Sequence, residues 1–221
     1  MKNSLFFAIV SLLYLDVMAQ TQTTSHIIKL PNTLFSNSNM PFLSHHDNGT
    51  FGKVLAMNIN YEPVQKIRIA IEKSIGVNLK IFKGWNSEGE AHITTITPPE
   101  YTNVFSSFVS IQEIDDIAKN NDIQNSDLQI EGIGRGFARI SGANEETYFL
   151  IVRSERLLKI RREIYKLFLN RGGNSKSWDP EHFFPHITIG FSLRDLHESD
   201  GVIKDKAHSL DDRFILDIEY K

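Results

Sequence analysis

The sequence contains no cysteine among its 221 residues. This absence excludes thiol catalysis, disulfide bonds and the zinc sites that are built on thiolate ligands. The chain also lacks a large excess of charge of either sign, since its formal net charge is −3. Nothing in the overall charge indicates a nucleic-acid-binding protein, so any affinity for phosphate must come from a local site.

Long hydrophobic runs are missing as well. The apolar stretch over residues 5–15 is too short to span a bilayer, and it follows the positive charge of Lys2. This pattern predicts a signal peptide over residues 1–19, with cleavage before Gln20. An uncleaved membrane anchor is the alternative, and Asp16 directly after the apolar stretch argues against it. We therefore expect a secreted or endomembrane-lumen protein with no stable membrane association after cleavage.

The remaining sequence divides into a leader and one folded domain. Residues 20–50 are rich in Ser, Thr and Asn and show little periodicity, which is typical of a loosely ordered leader. They contain a possible glycosylation site at Asn48, meaningful only in a eukaryotic source. The hydrophobic fraction of 41% is sufficient for a globular core. We expect a single domain of two closely packed lobes over residues 51–221.

Alternating strand and helix patterns fill this domain. Helical spacing predicts one helix that begins near Pro63 and ends at Gly76, and a stronger one over residues 153–170. Most basic side chains of the second helix are expected on a solvated face. Ser110 and Glu113 have the spacing of a capping box at the start of a shorter helix. Apolar runs predict strands over residues 53–59, 79–82, 128–133, 137–140, 147–152 and 214–218.

The most informative pattern is a histidine placed two residues before a threonine inside a β-branched run. It occurs twice, as His92 with Thr94 and as His186 with Thr188. Side chains two residues apart on a strand share a face, so each strand presents an imidazole and a hydroxyl together. Two such strands side by side would form a cleft in which both imidazoles and both hydroxyls meet. The alternative is a pair of half-buried strand histidines that are hydrogen-bonded to their neighbours.

These two motifs resemble the signature of the two-histidine (2H) phosphoesterase superfamily. The stretch from Gly89 to Tyr101 is most similar to its Swiss army knife RNA-repair-like branch. Thr95 departs from the family pattern, which has an apolar residue there, although a β-branched residue still packs well in a strand. The resemblance implies a bilobal α+β fold. It would have two mostly antiparallel sheets related by pseudo-two-fold symmetry, helices on the outside and the site between the sheets.

The resemblance also implies metal-independent chemistry at phosphoesters, commonly the 2′,3′-cyclic phosphates of nucleotides or RNA ends, without a cofactor. Such a reaction needs a base that deprotonates water and an acid that protonates the leaving ribose oxygen. His92 and His186 suit both roles because imidazole titrates near neutrality, and the sequence leaves open which is acid and which is base. Thr94 and Thr188 would donate hydrogen bonds to the non-bridging phosphate oxygens.

Further candidates and two rival functions complete the sequence-based predictions. Tyr101, Phe184 and Arg153 are candidate substrate-binding residues, and Trp85 and Trp178 are candidates for stacking on a base. A metal hydrolase is disfavoured because the two histidines lack a third ligand at suitable spacing, although Glu90 lies on the same strand face as His92. A secreted module that binds a phosphorylated ligand or RNA without turnover is the alternative to an enzyme.

Overall fold

The structure is a computed structural model that describes residues 25–46, 52–83 and 89–218. The predicted signal peptide, Asn48 and Trp85 lie outside these ranges. The strands are β1 (His26–Leu30), β2 (Leu55–Ile59), β3 (Ala91–Ile96), β4 (Gln129–Ile140), β5 (Ala143–Arg153), β6 (His186–Phe191) and β7 (Phe214–Ile218). The helices are α1 (Tyr61–Ile75), α2 (Pro98–Glu100), α3 (Ile111–Asn120), α4 (Glu155–Asn170) and α5 (Lys206–Ser209).

Within the described ranges, the strands form three sheets. Strands β2 and β3 pair antiparallel, and β4, β5 and β6 form an antiparallel sheet in that order. Strands β1 and β7 pair in parallel as a third, two-stranded sheet, which the expectation of two sheets did not include. The fold is nevertheless mixed α/β with antiparallel sheets, as the sequence predicts.

The expectation of a loosely ordered leader is wrong for residues 26–35. These residues form β1 and a following 3-10 helix, and β1 pairs along its whole length with β7. Ile28, Leu30 and Leu34 are buried in the main core, whereas Ile27 points into solvent. The segment was misassigned because its short apolar alternation is surrounded by polar residues and its pairing partner is the last strand of the chain.

Two other strand predictions need correction. The runs predicted as separate strands at residues 128–133 and 137–140 form one strand, β4, which carries a bulge and pairs with β5 throughout. Gly134 pairs with Phe149 in this ladder, and the Phe149 ring lies where a side chain at position 134 would begin. The predicted strand at residues 79–82 is reduced to a single bridge between Lys80 and Phe191. A side chain at Gly190 would collide with the backbone of this passing segment.

The helices follow the predicted signals. Gly76 ends α1 in the left-handed conformation, and Ser110 and Glu113 form the predicted capping box of α3. Both α1 and α4 turn an apolar stripe into one core that also contains buried residues of β1, β3 and β6. No helix in the described ranges is long and apolar enough to cross a bilayer. The shared core therefore holds both histidine-bearing strands.

Truncation of β1 tests whether the amino-terminal segment is part of the folded core. Ile28→Ala should lower the free energy of unfolding by about 2–5 kcal/mol because it removes a fully buried side chain. The neighbouring Ile27→Ala is the matched control and should cost less than about 1 kcal/mol, since Ile27 is 67% exposed. Urea denaturation measures both values. Equal, small effects would show that β1 does not contribute to the core.

Candidate functional site

The alternation of side chains along β3 and β6 places the two motifs as the sequence predicts. His92 and Thr94 are partly exposed on one face of β3, while Ile93 and Thr95 are buried on the other. On β6, Ile187 and Ile189 are likewise buried behind the second His-Thr pair. Each strand is anchored by apolar or β-branched side chains, and its polar pair is left facing outward from the core.

Both His-Thr pairs line the same cleft, whose volume is about 1650 Å³. The two strands belong to different sheets, so the cleft lies where the two antiparallel sheets meet. The electrostatic environment of the rings is shared, because Asp195 and Lys204 both act on the pKa of His92 and on that of His186. The structure therefore brings together the four residues that the motifs single out.

The ring of His186 is held at both of its nitrogens. Nδ1 lies 2.8 Å from the backbone carbonyl oxygen of Phe184, so Nδ1 carries the hydrogen and donates to it. Nε2 lies 3.1 Å from Nζ of Lys204 and accepts a hydrogen bond from the ammonium group. Burial and the Lys204 charge lower the pKa of His186 to about 3. His186 is therefore neutral at physiological pH, with a fixed tautomer.

Asp195 organises the cationic neighbour of His186. Both of its carboxylate oxygens lie 2.8 Å from Nζ of Lys204, and the two side chains are almost completely buried. Asp195 also accepts hydrogen bonds from the hydroxyls of Thr147 and Thr188. Burial alone would raise the pKa of this carboxyl, but the Lys204 charge and the hydrogen bonds from Lys204 and Thr147 together outweigh burial and hold the pKa below its usual range. The second motif thus rests on a buried ion pair.

The charged neighbour of His92 is a carboxylate, whereas that of His186 is an ammonium group. The Nδ1 atom of His92 lies 3.6 Å from a carboxylate oxygen of Glu90, which precedes it by two residues and therefore shares its face. Its ring also stacks on Phe82, with ring centroids 5.6 Å apart. Burial and the field of His45 lower the pKa of His92 to about 4. Burial in turn raises the pKa of Glu90, so this pair is less strongly ionised than the pair of Asp195 and Lys204.

Arg161 joins the two motif strands through their flanking backbone. Its guanidinium is 1% exposed and donates to the carbonyl oxygen of Thr95 on β3 at 2.8 Å. It also donates to the carbonyl oxygens of Pro180 and His182 in the loop that leads to β6. Glu100 supplies the opposite charge at 3.0 Å. The expectation that the basic residues of this helix are solvated is wrong for Arg161, which is buried between the two halves.

The other predicted site residues have mixed positions. Phe184 and Trp178 line the cleft. Tyr101 is buried in the core, where its hydroxyl accepts a hydrogen bond from the backbone N–H of Ile111, and it does not line the cleft. Arg153 is exposed at the end of β5, where it donates to Gln129, and it too lies outside the cleft. The structure therefore does not place Tyr101 or Arg153 where they could contact a ligand in the cleft.

Sequence reasoning missed Asp195, Lys204 and Arg161. Neither Asp195 nor Lys204 stands in a motif, and a single charged residue in a loop gives no signal of its burial or its partner. Glu90 was noted only for its shared strand face with His92. Within the described ranges, no group of three or more His, Asp and Glu side chains gathers in an arrangement that could hold a metal ion. Catalysis without a metal or cofactor stays a prediction.

Comparison with known protein families gives one match. The family model of the Swiss Army Knife, 2H phosphoesterase domain matches residues 53–197, a range that includes both His-Thr motifs. Neither the curated proteins nor the solved structures give a match to the chain. The matched range covers more than half of the sequence and ends before Lys204.

The low pKa values of the two histidines predict a loss of stability in mild acid. Each ring binds its proton more weakly in the folded state, at pKa values of about 4 and about 3, than in the unfolded chain, at about 6.5. Protons therefore favour unfolding as the pH falls below 6.5. Between pH 7 and pH 5, the free energy of unfolding should fall by about 2–4 kcal/mol more in the wild type than in the His92→Gln/His186→Gln variant.

Urea denaturation at pH 7, 6 and 5 measures this difference. His208→Gln is the control, because His208 is exposed on α5, where it is hydrogen-bonded to Asp205. This control should keep the pH dependence of the wild type. An identical pH dependence in the double variant would show that the two rings are not depressed in pKa.

Proposed function

Because the chain belongs to the Swiss Army Knife family of 2H phosphoesterase domains, we propose that it hydrolyses cyclic phosphodiesters, namely the 2′,3′-cyclic phosphates of small nucleotides. The family assignment supports a phosphoesterase-type hydrolase, and the cyclic substrate is our proposal. The observation that carries it is the presence of both His-Thr pairs in one cleft, on strands of different sheets. Pseudo-two-fold symmetry between the two lobes would explain why each supplies one pair.

The proposed reaction uses the two rings as proton donor and acceptor. A water molecule attacks phosphorus while one neutral imidazole takes its proton, and the bond from phosphorus to the leaving ribose oxygen breaks. The other ring, as imidazolium, protonates that oxygen. In-line displacement requires the attacking and leaving oxygens on opposite sides of phosphorus, which suits histidines on two different walls of a cleft. The negative charge of a bound phosphate would raise the pKa of both rings and allow one to be protonated.

The threonine hydroxyls are proposed to bind the phosphate. Thr94 and Thr188 stand beside the histidines and line the same cleft. Charge builds up on the non-bridging oxygens during the reaction, and a positioned hydroxyl donor stabilises it by about 2–4 kcal/mol. In the structure the Thr188 hydroxyl donates to Asp195 at 3.1 Å. It would have to turn from this carboxylate to donate to a phosphate oxygen, whereas Asp195 would keep its other donors.

The charges of the cleft favour a small nucleotide over a long RNA. Among the described residues that line the cleft, carboxylates outnumber lysines and arginines. Of the basic residues, Arg161 and Lys204 are ion-paired with Glu100 and Asp195. The acidic lining residues are Glu62, Glu90, Glu100, Asp179, Asp195 and Glu198. A cleft of this composition repels a polyanion but tolerates the single negative charge of a cyclic phosphodiester.

Aromatic side chains offer a site for the base. Phe184 and Trp178 lie along the cleft wall that leads into β6. The Trp178 indole N–H donates to Glu100 at 2.8 Å, and the Arg161 guanidinium lies 4.4 Å from its ring centroid. The ring is therefore held in a fixed orientation. Stacking on such a ring accepts any base, so we propose little preference for base identity.

Export of this enzyme is also a proposal. The apolar stretch at residues 5–15 supports a cleaved signal peptide and a secreted or lumenal location. An exported enzyme of this kind would act on extracellular or lumenal nucleotides.

Removal of either imidazole should abolish most of the activity. His92→Ala and His186→Ala should each lower kcat/KM for a 2′,3′-cyclic mononucleotide by at least about a hundredfold, because each removes one proton-transfer group. The assay contains a metal chelator. His208→Ala is the matched control and should retain wild-type activity, since His208 lies outside the cleft. Circular dichroism verifies the fold of each variant.

The outcomes of this assay separate the rival functions. Full activity in either folded histidine variant would reject the two-histidine mechanism. Activity that the chelator abolishes would indicate a metal hydrolase. Tight binding of cyclic nucleotides by the wild type, without turnover, would indicate a binding module.

Substrate length gives an independent test of the acidic cleft. A 2′,3′-cyclic mononucleotide should be turned over with a kcat/KM at least about tenfold higher than a ten-nucleotide RNA with the same cyclic end. Salt should leave the KM of the RNA unchanged or lower it, because added ions screen repulsion between the RNA and the carboxylates. Steady-state kinetics at low and high salt measure both effects. A KM for RNA that is lower than that of the mononucleotide and rises steeply with salt would contradict the assignment.

A further inference from the structure

A buried lysine that the family match does not reach makes direct contact with one of the two histidines. Lys204 follows the matched residues in sequence and is 4% exposed. Its ammonium group donates to both carboxylate oxygens of Asp195 and to Nε2 of His186. These three acceptors use the three N–H groups of a lysine side chain. The geometry therefore fixes the ammonium group and aims one hydrogen at the histidine.

We propose that Lys204, held by Asp195, is a positioning residue that keeps His186 neutral with its proton on Nδ1 and thereby makes His186 the base. The assignment of His186 as the base rests on the proposed function, whereas the effect of Lys204 on the protonation of His186 does not. A cation 3.1 Å from Nε2 opposes protonation of that nitrogen. The Phe184 carbonyl oxygen accepts the hydrogen of Nδ1, so both ring nitrogens favour the same tautomer.

The two rings differ in the sign of the charge beside them. His186 has the Lys204 ammonium at its Nε2, whereas His92 has the Glu90 carboxylate near its Nδ1. A carboxylate stabilises an imidazolium, and an ammonium group destabilises it. His45 and Lys204 also oppose protonation of His92, but its pKa of about 4 stays above the pKa of His186, about 3. When a phosphate adds negative charge to the cleft, His92 is therefore the ring that gains a proton first. His92 becomes the acid, and His186 takes the proton of the attacking water.

The lysine must release the His186 lone pair before that nitrogen can accept a proton. Of the three hydrogen bonds of Lys204, the one to Nε2 has a neutral acceptor, whereas the two to Asp195 have a charged acceptor and are stronger. The bond to Nε2 is also the longest of the three. Loss of this one hydrogen bond frees Nε2, while the charge attraction between the ammonium group and Asp195 keeps the ion pair.

Other groups around His186 do not supply the same effect. The charged or titratable side chains that act on its ring are Lys204, Asp195 and His197. Burial lowers the pKa of His197, so this residue adds no positive charge at neutral pH. From β5, Phe149 contacts the ring edge-on at a centroid distance of 5.7 Å. Lys204 is thus the nearest cation in the surroundings of the ring that the structure describes.

Lys204→Met tests the inference in the protein without any substrate. The substitution removes the cation and leaves the Asp195 carboxylate, so the pKa of His186 should rise by at least about one unit. Two-bond 1H–15N spectra of labelled protein report both the tautomer and the pKa of the ring. Lys204→Arg keeps a positive charge beside the ring and should therefore leave the pKa within about half a unit of the wild type.

A second variant protects the test against misfolding. Lys204→Met leaves a buried carboxylate without its cation and can prevent folding. The variant Lys204→Met/Asp195→Asn removes both charges at nearly constant shape. Its His186 pKa should rise less than in Lys204→Met but in the same direction, because the ammonium group contacts the ring and the carboxylate acts from behind it.

The kinetic readout completes the design. The acidic limb of kcat/KM against pH should move to higher pH in Lys204→Met, by the same shift that the spectra show. A His186 pKa and tautomer that do not respond to loss of Lys204 would overturn the inference, whether or not the enzyme turns over a nucleotide. A response of His186 without turnover of any cyclic nucleotide would reject the proposed function and leave the electrostatic role of Lys204 intact.

Discussion

A guanidinium group buried between the two halves of the molecule holds the histidine-bearing strands in place. Arg161 donates to the backbone of β3 directly after Thr94 and to the backbone of the loop that enters β6. Its charge is balanced by Glu100, and its guanidinium carbon lies 4.4 Å from the ring centroid of Trp178 and 4.6 Å from that of Phe183. A buried cation with this many acceptors is costly to disturb, because its loss leaves carbonyl oxygens and a carboxylate without partners. The cleft geometry depends on this interaction.

The second level of organisation is electrostatic. In the proposed mechanism, two chemically identical side chains acquire different tasks because their neighbours carry opposite charges. Here the difference is built from Glu90 beside one ring and from the Lys204–Asp195 pair beside the other. Burial then lowers both histidine pKa values, and we propose that the charge of a bound phosphate decides when a ring is protonated. The cleft needs few positive charges for this, which agrees with its acidic lining.

The sequence was informative where local periodicity determines the outcome. Strand alternation places His92 with Thr94 and His186 with Thr188, and helix capping fixes the start of α3. It was uninformative where a residue's role depends on a distant partner. Strand β1 needs β7, almost two hundred residues away, to become a strand. The burial of Arg161, Asp195 and Lys204 could not be predicted because an isolated charge has the same local pattern on a surface as in an ion pair. Tyr101 was misassigned for the related reason that an aromatic near a strand end fits the core as well as a cleft.

The most direct test of the central claim is a crystal structure with a bound 2′,3′-cyclic phosphorothioate nucleotide. The account predicts that one phosphate group lies between the two rings, with Nε2 of His92 and Nε2 of His186 each within about 2.6–3.2 Å of an oxygen or sulfur on that phosphate or of a water beside it. It also predicts that the Thr94 and Thr188 hydroxyls donate to the same group. A phosphate that contacts only one of the two histidines, or that binds outside this cleft, would contradict the account.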